Sequence, residues 1–257
     1  MSTEQQIVAL AGRLREACRI TVLTGAGVSA ASGVPTFRGA GGLWKNYSAQ
    51  DLATPQAFRR NPALVWEWYN WRRELVAKCA PNAAHHVLAA WSRRFPGFQL
   101  ITQNVDGLHE RAGTEGVLRF HGSIWEVQCW ERCPSSPERW RDETVPLVPL
   151  PPRCPYCGGL LRPGVVWFGE AIDPEILDRS FAAARCDLFL SVGTSTVVHP
   201  AAGLAHEAKR HGAFTAEINP EETPASELVD ISIRMAAEQA LPEIEQLLVT
   251  SDRSAGA

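Results

Sequence analysis

The sequence predicts an α/β protein: a doubly wound parallel sheet of the Rossmann-like kind, with a smaller zinc-binding module and a helical insertion. Three observations predict it. An apolar, β-branched run (Ile20, Val22, Leu23) leads into Thr24-Gly25-Ala26-Gly27-Val28-Ser29-Ala30, the strand, tight turn and helix start of a dinucleotide-binding fold. The strand and polar-turn pattern returns at Asp187–Val192 before Gly193-Thr194-Ser195 and at Ala213–Ile218 before Asn219. Four of the seven cysteines form two closely spaced pairs, Cys129 with Cys133 and Cys154 with Cys157, which suits a closed four-thiolate metal site.

Composition sets the bounds. At 257 residues and 45% hydrophobic content, the chain can bury one large α/β core with a small appended module. A net charge of −3 and a pI near 6.2 give no general electrostatic reason to bind nucleic acid or an anionic membrane. The first residues carry no basic region ahead of a long apolar core, and no stretch of about 20 apolar residues occurs. The expectation is a cytoplasmic protein with neither nucleic-acid nor membrane partners. In that setting clustered thiols favour metal over disulfides. Cys18, Cys79 and Cys186 stand alone and read as small hydrophobes or surface thiols.

Taken in order, residues 4–17 have a helical rhythm through Ile7, Leu10, Ala11 and Leu14. Glycine at 25 and 27 removes Cβ atoms that would keep the backbone from a pyrophosphate, and the N–H groups of a helix start face the anion. Small-residue turns after buried strands also arise for packing alone. A dehydrogenase would place an acidic residue at the end of a second strand about 20 positions on. Here Gly39-Ala40-Gly41-Gly42-Leu43-Trp44-Lys45-Asn46 is too glycine-rich for a central strand. It is expected to be a loop able to close over a ligand, so a nicotinamide cofactor would be held differently from the way hydride-transfer enzymes hold it.

Asn61-Pro62 opens a helix on which Val65, Trp68, Arg72, Leu75 and Cys79 define one inward face. An arginine in such a stripe asks for an anionic partner, with Tyr69 one turn before it; snorkelling to water or a structural carboxylate would serve instead. A helix near 83–95 and a strand Phe98–Thr102 lead to Gln103-Asn104-Val105-Asp106 at the strand's C-terminal end, where ligands of open parallel sheets gather. Asn104 and Asp106 suit hydrogen bonds to a carboxamide and a ribose, or turn and capping duty. His121 follows a short strand, and a neutral imidazole there suits removal of a proton from a ribose hydroxyl. A closed four-cysteine site has no open position for water and is therefore structural. Pro134–Pro152 is expected to be an irregular loop, Arg162–Glu170 a strand whose exposed edge takes an extended peptide, and Ser251–Ala257 a disordered tail.

GAGVSAASGVPTFR (25–38), TQNVD (102–106), FHGS (120–123), GVVWFGE (164–170), GTS (193–195) and Ile218-Asn219 occur in an order that makes the chain resemble the sirtuins over nearly its whole length. The resemblance implies NAD-dependent removal of acyl groups from lysine, with NAD consumed as co-substrate, one structural Zn2+, and acyl-lysine proteins bound as extended peptides. It gives NAD the residues Gly25, Ala26, Gly27, Ser29, Ala30, Thr36, Phe37, Arg38, Trp44, Gln103, Asn104, Val105, Asp106, Gly193, Thr194, Ser195, Asn219 and Ala237, with Asn104, Val105 and Asp106 around the nicotinamide and its ribose. It makes His121 the general base, and it sets the substrate lysine between Val166-Trp167-Phe168-Gly169-Glu170 and a segment containing Val198. The metal ligands are Cys129, Cys133, Cys154 and Cys157.

Tyr69 and Arg72 are similar to a pair in the branch that removes succinyl, malonyl and glutaryl groups, where they grip the acyl carboxylate; Ala53 is similar to a small residue that leaves room for the longer chain. Two features depart from the pattern. The Cys129/Cys133 pair is one residue wider than usual, and Met235 stands where sirtuins commonly have a glycine. The implied organisation is an NAD-binding domain (1–37, 81–127 and 162–257), a cofactor loop and helical insertion (38–80) and a zinc-binding module (128–161), with the site between the two insertions. ADP-ribosyl transfer to a side chain and a catalytically idle NAD or ADP-ribose sensor are the rival functions. Oligomeric state is not legible.

Overall fold

Uninterrupted apolar strands are what a sheet covered on both faces requires, because alternate side chains point to opposite sides and both sides are dry. The computed structural model describes residues 1–35 and 44–255, with side chains to residue 250. In chain order its elements are α1 (Thr3–Glu16), β1 (Ile20–Thr24), a 3-10 helix (Ala26–Ser32), α2 (Ala49–Leu52), α3 (Pro55–Arg60), α4 (Pro62–Lys78), α5 (Ala83–Arg94) and β2 (Phe98–Thr102). Then come α6 (Leu108–Arg111), β3 (Leu118–Arg119), β4 (Gly122–Cys129), β5 (Trp140–Arg141) and β6 (Leu161–Val165). The chain closes with α7 (Pro174–Ala183), β7 (Leu188–Val192), α8 (Gly203–Arg210), β8 (Phe214–Ile218), β9 (Ile231–Ile233) and α9 (Ala237–Ala255).

Among the described residues, β3-β2-β1-β7-β8-β9 form a six-stranded parallel sheet. Ile20 and Val22 of β1 share a core with Leu188, Leu190 and the stripe Ile7, Leu10 and Leu14 of α1, together with residues of α5 and α9. Leu23, Ile101 and Phe189, one position out of phase, pack on the other face with Leu204, Ala205 and Ala208 of α8. This is the expected doubly wound sheet. The strand order reverses between β1 and β7, so a crevice opens at their C-terminal ends.

A second, antiparallel sheet β5-β4-β6 shares one hydrophobic core with the helical segment, in which Leu52, Phe58, Trp66 and Trp68 pack with Ile124, Val127, Cys129 and Trp167. The helical insertion and the cysteine-bearing sheet are thus joined in one core.

Several expectations are corrected in detail. The helix after β1 is a 3-10 helix closed by Gly33 in the left-handed region (φ 87°). The loop predicted for 134–152 includes β5, which pairs with β4. Residues 251–255, expected to be disordered, continue α9; no proline or glycine interrupts them. On α4, Val65 and Trp68 are buried as predicted, but Arg72 and Leu75 are only half-buried, while Trp66, Tyr69, Asn70, Arg73 and Val76 are buried. Helices and sheet cover α4 on more than one side, so its buried face is wider than one stripe. No helix among the described residues is long and apolar enough to cross a membrane.

Candidate active site

The turns after β1 and β7 interlock. Gly25 N–H donates to Val192 O (3.1 Å) and Gly27 N–H to Gly193 O (2.8 Å). A Cβ on Gly25 would lie 2.8 Å from Gly193 O and Thr194 Cα, and one on Gly193, whose φ is +58°, would lie 2.5 Å from Val28 N. Glycine is therefore required here by backbone packing against backbone, in addition to any approach of phosphate. Gln103 Nε2 donates to Thr194 Oγ1 (2.7 Å) and Asn219 Nδ2 to Thr194 O (2.9 Å), which ties the ends of β2, β7 and β8 to one another.

Beside this floor lies a buried polar network. Asn104 Nδ2 donates to Gly25 O (3.0 Å) and Ser29 Oγ (3.2 Å), and Ser29 Oγ donates to Asp106 Oδ2 (2.9 Å). Asp106 Oδ1 also accepts from Leu108 N–H (2.9 Å), so its capping duty and its place in the network coexist. Behind them, His85 Nδ1 accepts from Asn82 N–H (3.2 Å) and its Nε2 faces Ser29 Oγ (3.4 Å), while His109 Nε2 meets Thr24 Oγ1 (3.0 Å). The two imidazoles lie 4.9 Å apart, and burial pushes each down to about 3, so both are neutral at pH 7. Burial pushes the Asp106 carboxyl up, opposed by its bonds from Leu108 and Ser29.

His121 stands between β3 and β4, directly before Gly122. Its Nδ1 is 3.1 Å from Gln103 O, and a carbonyl can only accept, so the proton of the neutral ring sits on Nδ1. Nε2 is left with the lone pair, the state a base needs. Burial holds the ring below the ordinary imidazole range, opposed by the Gln103 bond. Its carbonyl accepts from Val166 N–H (2.9 Å), which fixes it to the chain leaving β6.

The four predicted cysteines converge, with all Sγ atoms within 4.8 Å of one another. The Cys129–Cys157 and Cys133–Cys154 separations are 3.7 and 3.9 Å, matching the roughly 3.8 Å edge of a tetrahedron with Zn–S bonds of about 2.3 Å. The wider first pair thus still brings its thiols to the other two.

Residues 25–200 match the model of the Sir2 family. The chain belongs to that family. An NAD-dependent protein deacylase of Aquifex aeolicus (strain VF5) is 51% identical over 234 residues, spanning 91% of this chain and 96% of the relative. The solved complex of a Sir2 homologue with NAD superposes with a TM-score of 0.89 at 44% identity, covering 95% of this chain and 94% of that one. A complex of Sir2 with p53 peptide and NAD+ gives 0.80 at 26% identity, covering 93% and 96%.

In this Sir2-family chain the residues expected at the acyl group, Tyr69 and Arg72, stand on α4. Arg72 lies over the rings of Trp68 (5.0 Å) and Tyr69 (5.7 Å), and burial lowers its pKa while Tyr69 and Asp106 oppose that shift. The fully buried arginine is its neighbour Arg73, held by Ile124 O (2.7 Å) and Asp142 Oδ1 (3.3 Å). Phe168 N–H donates to Ala53 O (2.9 Å), so the predicted acyl-pocket residue and the predicted peptide segment touch. Phe168 is exposed and Val166 and Val198 half-buried, but the strand expected over Arg162–Glu170 ends at Val165; beyond it Trp167 is turned inward and Glu170 is gripped by Arg162 (2.6 and 2.8 Å).

Trp44 packs against Trp71 with ring centroids 6.3 Å apart, and Ala237 is buried at the start of α9, beside half-buried Met235 of the same core. Residues 36–38, expected at NAD, and most of the glycine-rich run lie outside the described residues. Sequence reasoning missed His85, His109 and Arg162, since a lone histidine or arginine carries no local signal until the fold supplies its neighbours.

Proposed function

We propose that this protein is an NAD-dependent protein-lysine deacylase that removes carboxylate-bearing acyl groups, succinyl and malonyl, as well as acetyl, and passes them to ADP-ribose with release of nicotinamide. NAD is the co-substrate, and the four cysteines take one structural zinc, which the tetrahedral donor spacing fits. The observation that carries the chemistry is His121, whose Nδ1 bond to Gln103 O leaves Nε2 free to accept a proton.

NAD would supply the C1′–nicotinamide bond that is broken and the ribose that receives the acyl group: the acyl-lysine amide oxygen takes the place of nicotinamide at C1′, and one water is consumed as free lysine is released. The turns at Gly25–Gly27 and Gly193–Ser195 hold its phosphates, Asn219 and Ala237 its adenosine, and Gln103 to Asp106 the nicotinamide ribose end. Ser29 supports that end, because its hydroxyl is already oriented by Asp106. His121 takes the proton from a ribose hydroxyl as the acyl group transfers. The closed thiolate site leaves no coordination position for an attacking water, so zinc stabilises the fold and takes no part in the reaction. An acyl-lysine peptide lies along the chain leaving β6, between the Val166–Glu170 segment and Val198, and its acyl group reaches Tyr69 and Arg72 past Ala53. The zinc module (128–161) and the helical insertion (38–80) together frame the peptide side of the cleft.

The test is a nicotinamide-release assay with acetyl-lysine and succinyl-lysine peptides, with products identified by mass. Free lysine peptide plus 2′-O-acyl-ADP-ribose supports the reading. A peptide gaining the mass of ADP-ribose would identify a transferase, and no release with NAD bound would identify a sensor.

A further inference from the structure

The hydroxyl of Tyr69 sits at the bottom of the acyl end, on a ring that is 1% exposed, and its Oη lies 3.0 Å from Trp167 Nε1. An indole N–H only donates, so Oη accepts in this bond. The guanidinium of Arg72 lies beside the same side chain, 5.7 Å from its ring centroid, and is likewise a donor that cannot accept. The indole N–H therefore occupies an accepting direction of Oη, and the phenolic proton points elsewhere. Incoming hydrogen bonds polarise the O–H and make it a better donor. Burial also raises the phenol's pKa, which keeps that proton in place.

Trp167 is held for this purpose on ring and backbone alike. Its ring lies 3.6 Å below the Arg162 guanidinium and 5.3 Å from the Phe58 ring, and its backbone N–H donates to Glu170 Oε2 (2.9 Å). Glu170 is itself gripped by the fork of Arg162. The indole N–H is thus aimed at Tyr69 before any substrate arrives.

We propose that Trp167 is a positioning residue for acyl selectivity: by occupying the accepting side of Tyr69 Oη, it commits the phenol to donate its proton to a terminal carboxylate held beside Arg72. The proposal rests on the acidic-acyl reading of Tyr69 and Arg72. An acetyl group brings no acceptor to that point, so the commitment favours only acyl chains that end in one.

The experiment measures kcat and KM on succinyl-lysine and acetyl-lysine peptides for wild type, Trp167→Phe, Tyr69→Phe and the double variant. A further protein carries 3-benzothienylalanine at position 167, which keeps the bicyclic ring and removes only the N–H. It keeps the test decisive where the phenylalanine variant does not fold. The succinyl-to-acetyl ratio of kcat/KM is expected to fall about three- to tenfold in each single variant, chiefly through KM, the range set by one neutral hydrogen bond. The double variant should fall no further than Tyr69→Phe, because both changes act on one proton. An unchanged ratio in the benzothienyl protein, or factors that multiply in the double variant, overturns the proposal. Arg72→Met in the same series separates the two levels. A collapsed ratio there without a response at Trp167 removes this proposal alone, whereas no response at either position removes the acidic-acyl reading and this proposal with it.

Discussion

Replacing Arg72 by methionine keeps the length and apolar stem of the side chain and removes its charge. Arg72 stands half-buried over Trp68 and Tyr69, and burial already opposes its charge, so little water remains to take over when the guanidinium is lost. A succinyl carboxylate entering the variant would meet two aromatic rings, the Tyr69 hydroxyl and the nearby Asp106 carboxyl. Breaking a buried charge pair by removing one partner costs about 3–5 kcal/mol, and the partial exposure of Arg72 points to the lower end, roughly two powers of ten. The assay is steady-state kcat/KM on matched succinyl-lysine and acetyl-lysine peptides. The succinyl value should fall about a hundredfold while the acetyl value changes little or rises, because acetyl has no carboxylate to lose. An equal fall on both peptides would show that Arg72 serves the fold, as buried Arg73 does.

His121→Ala should lower deacylation by more than about tenfold while NAD affinity and melting temperature stay close to wild type, since a general base acts chiefly in the transition state; a smaller loss would remove His121 from that role. Cys154→Ser should release zinc, measured by elemental mass spectrometry, together with a lower melting temperature, because metal binding and folding are coupled; wild-type protein purified without zinc would refute the assignment. His85 and His109 should make the fold acid-labile. The unfolded chain takes up both protons near pH 6.5 but the native state only near pH 3, so the unfolded state binds more protons in between and stability falls with pH, by about 2 kcal/mol per histidine from pH 7 to 5. Thermal melts that give no smaller pH slope for His109→Gln would refute this. Gly193→Ala should cost more than about 3 kcal/mol in urea melts, since a left-handed φ alone costs about 1–3 kcal/mol and the new Cβ would press on the Val28 backbone; a near-neutral result would mean that the interlocked turns can move apart.

By itself the sequence determined what local pattern and chemistry can carry. The apolar runs of β1 and β7 announce a sheet dry on both faces, whereas β8, Phe214-Thr215-Ala216-Glu217-Ile218, alternates like a half-exposed strand and is nevertheless buried along Thr215–Ile218. The glycine turns and the two cysteine pairs were equally legible, since their spacing is itself the chemical requirement. The tertiary structure decided the rest. Helical periodicity could not separate Arg72 from Arg73, which differ by only about 100° around α4; burial chose Arg73 for Asp142 and left Arg72 half-buried beside Tyr69. The inward turn of Trp167 onto Tyr69, 98 positions away, follows from the joint core of the helical segment and the β5-β4-β6 sheet. The pairing of His85 with Ser29 and the tilted contact of its ring with His109 depend on how α5 and α6 pack behind β1. Such contacts join residues that no local period relates, and they form only when hydrophobic burial has fixed which elements are neighbours.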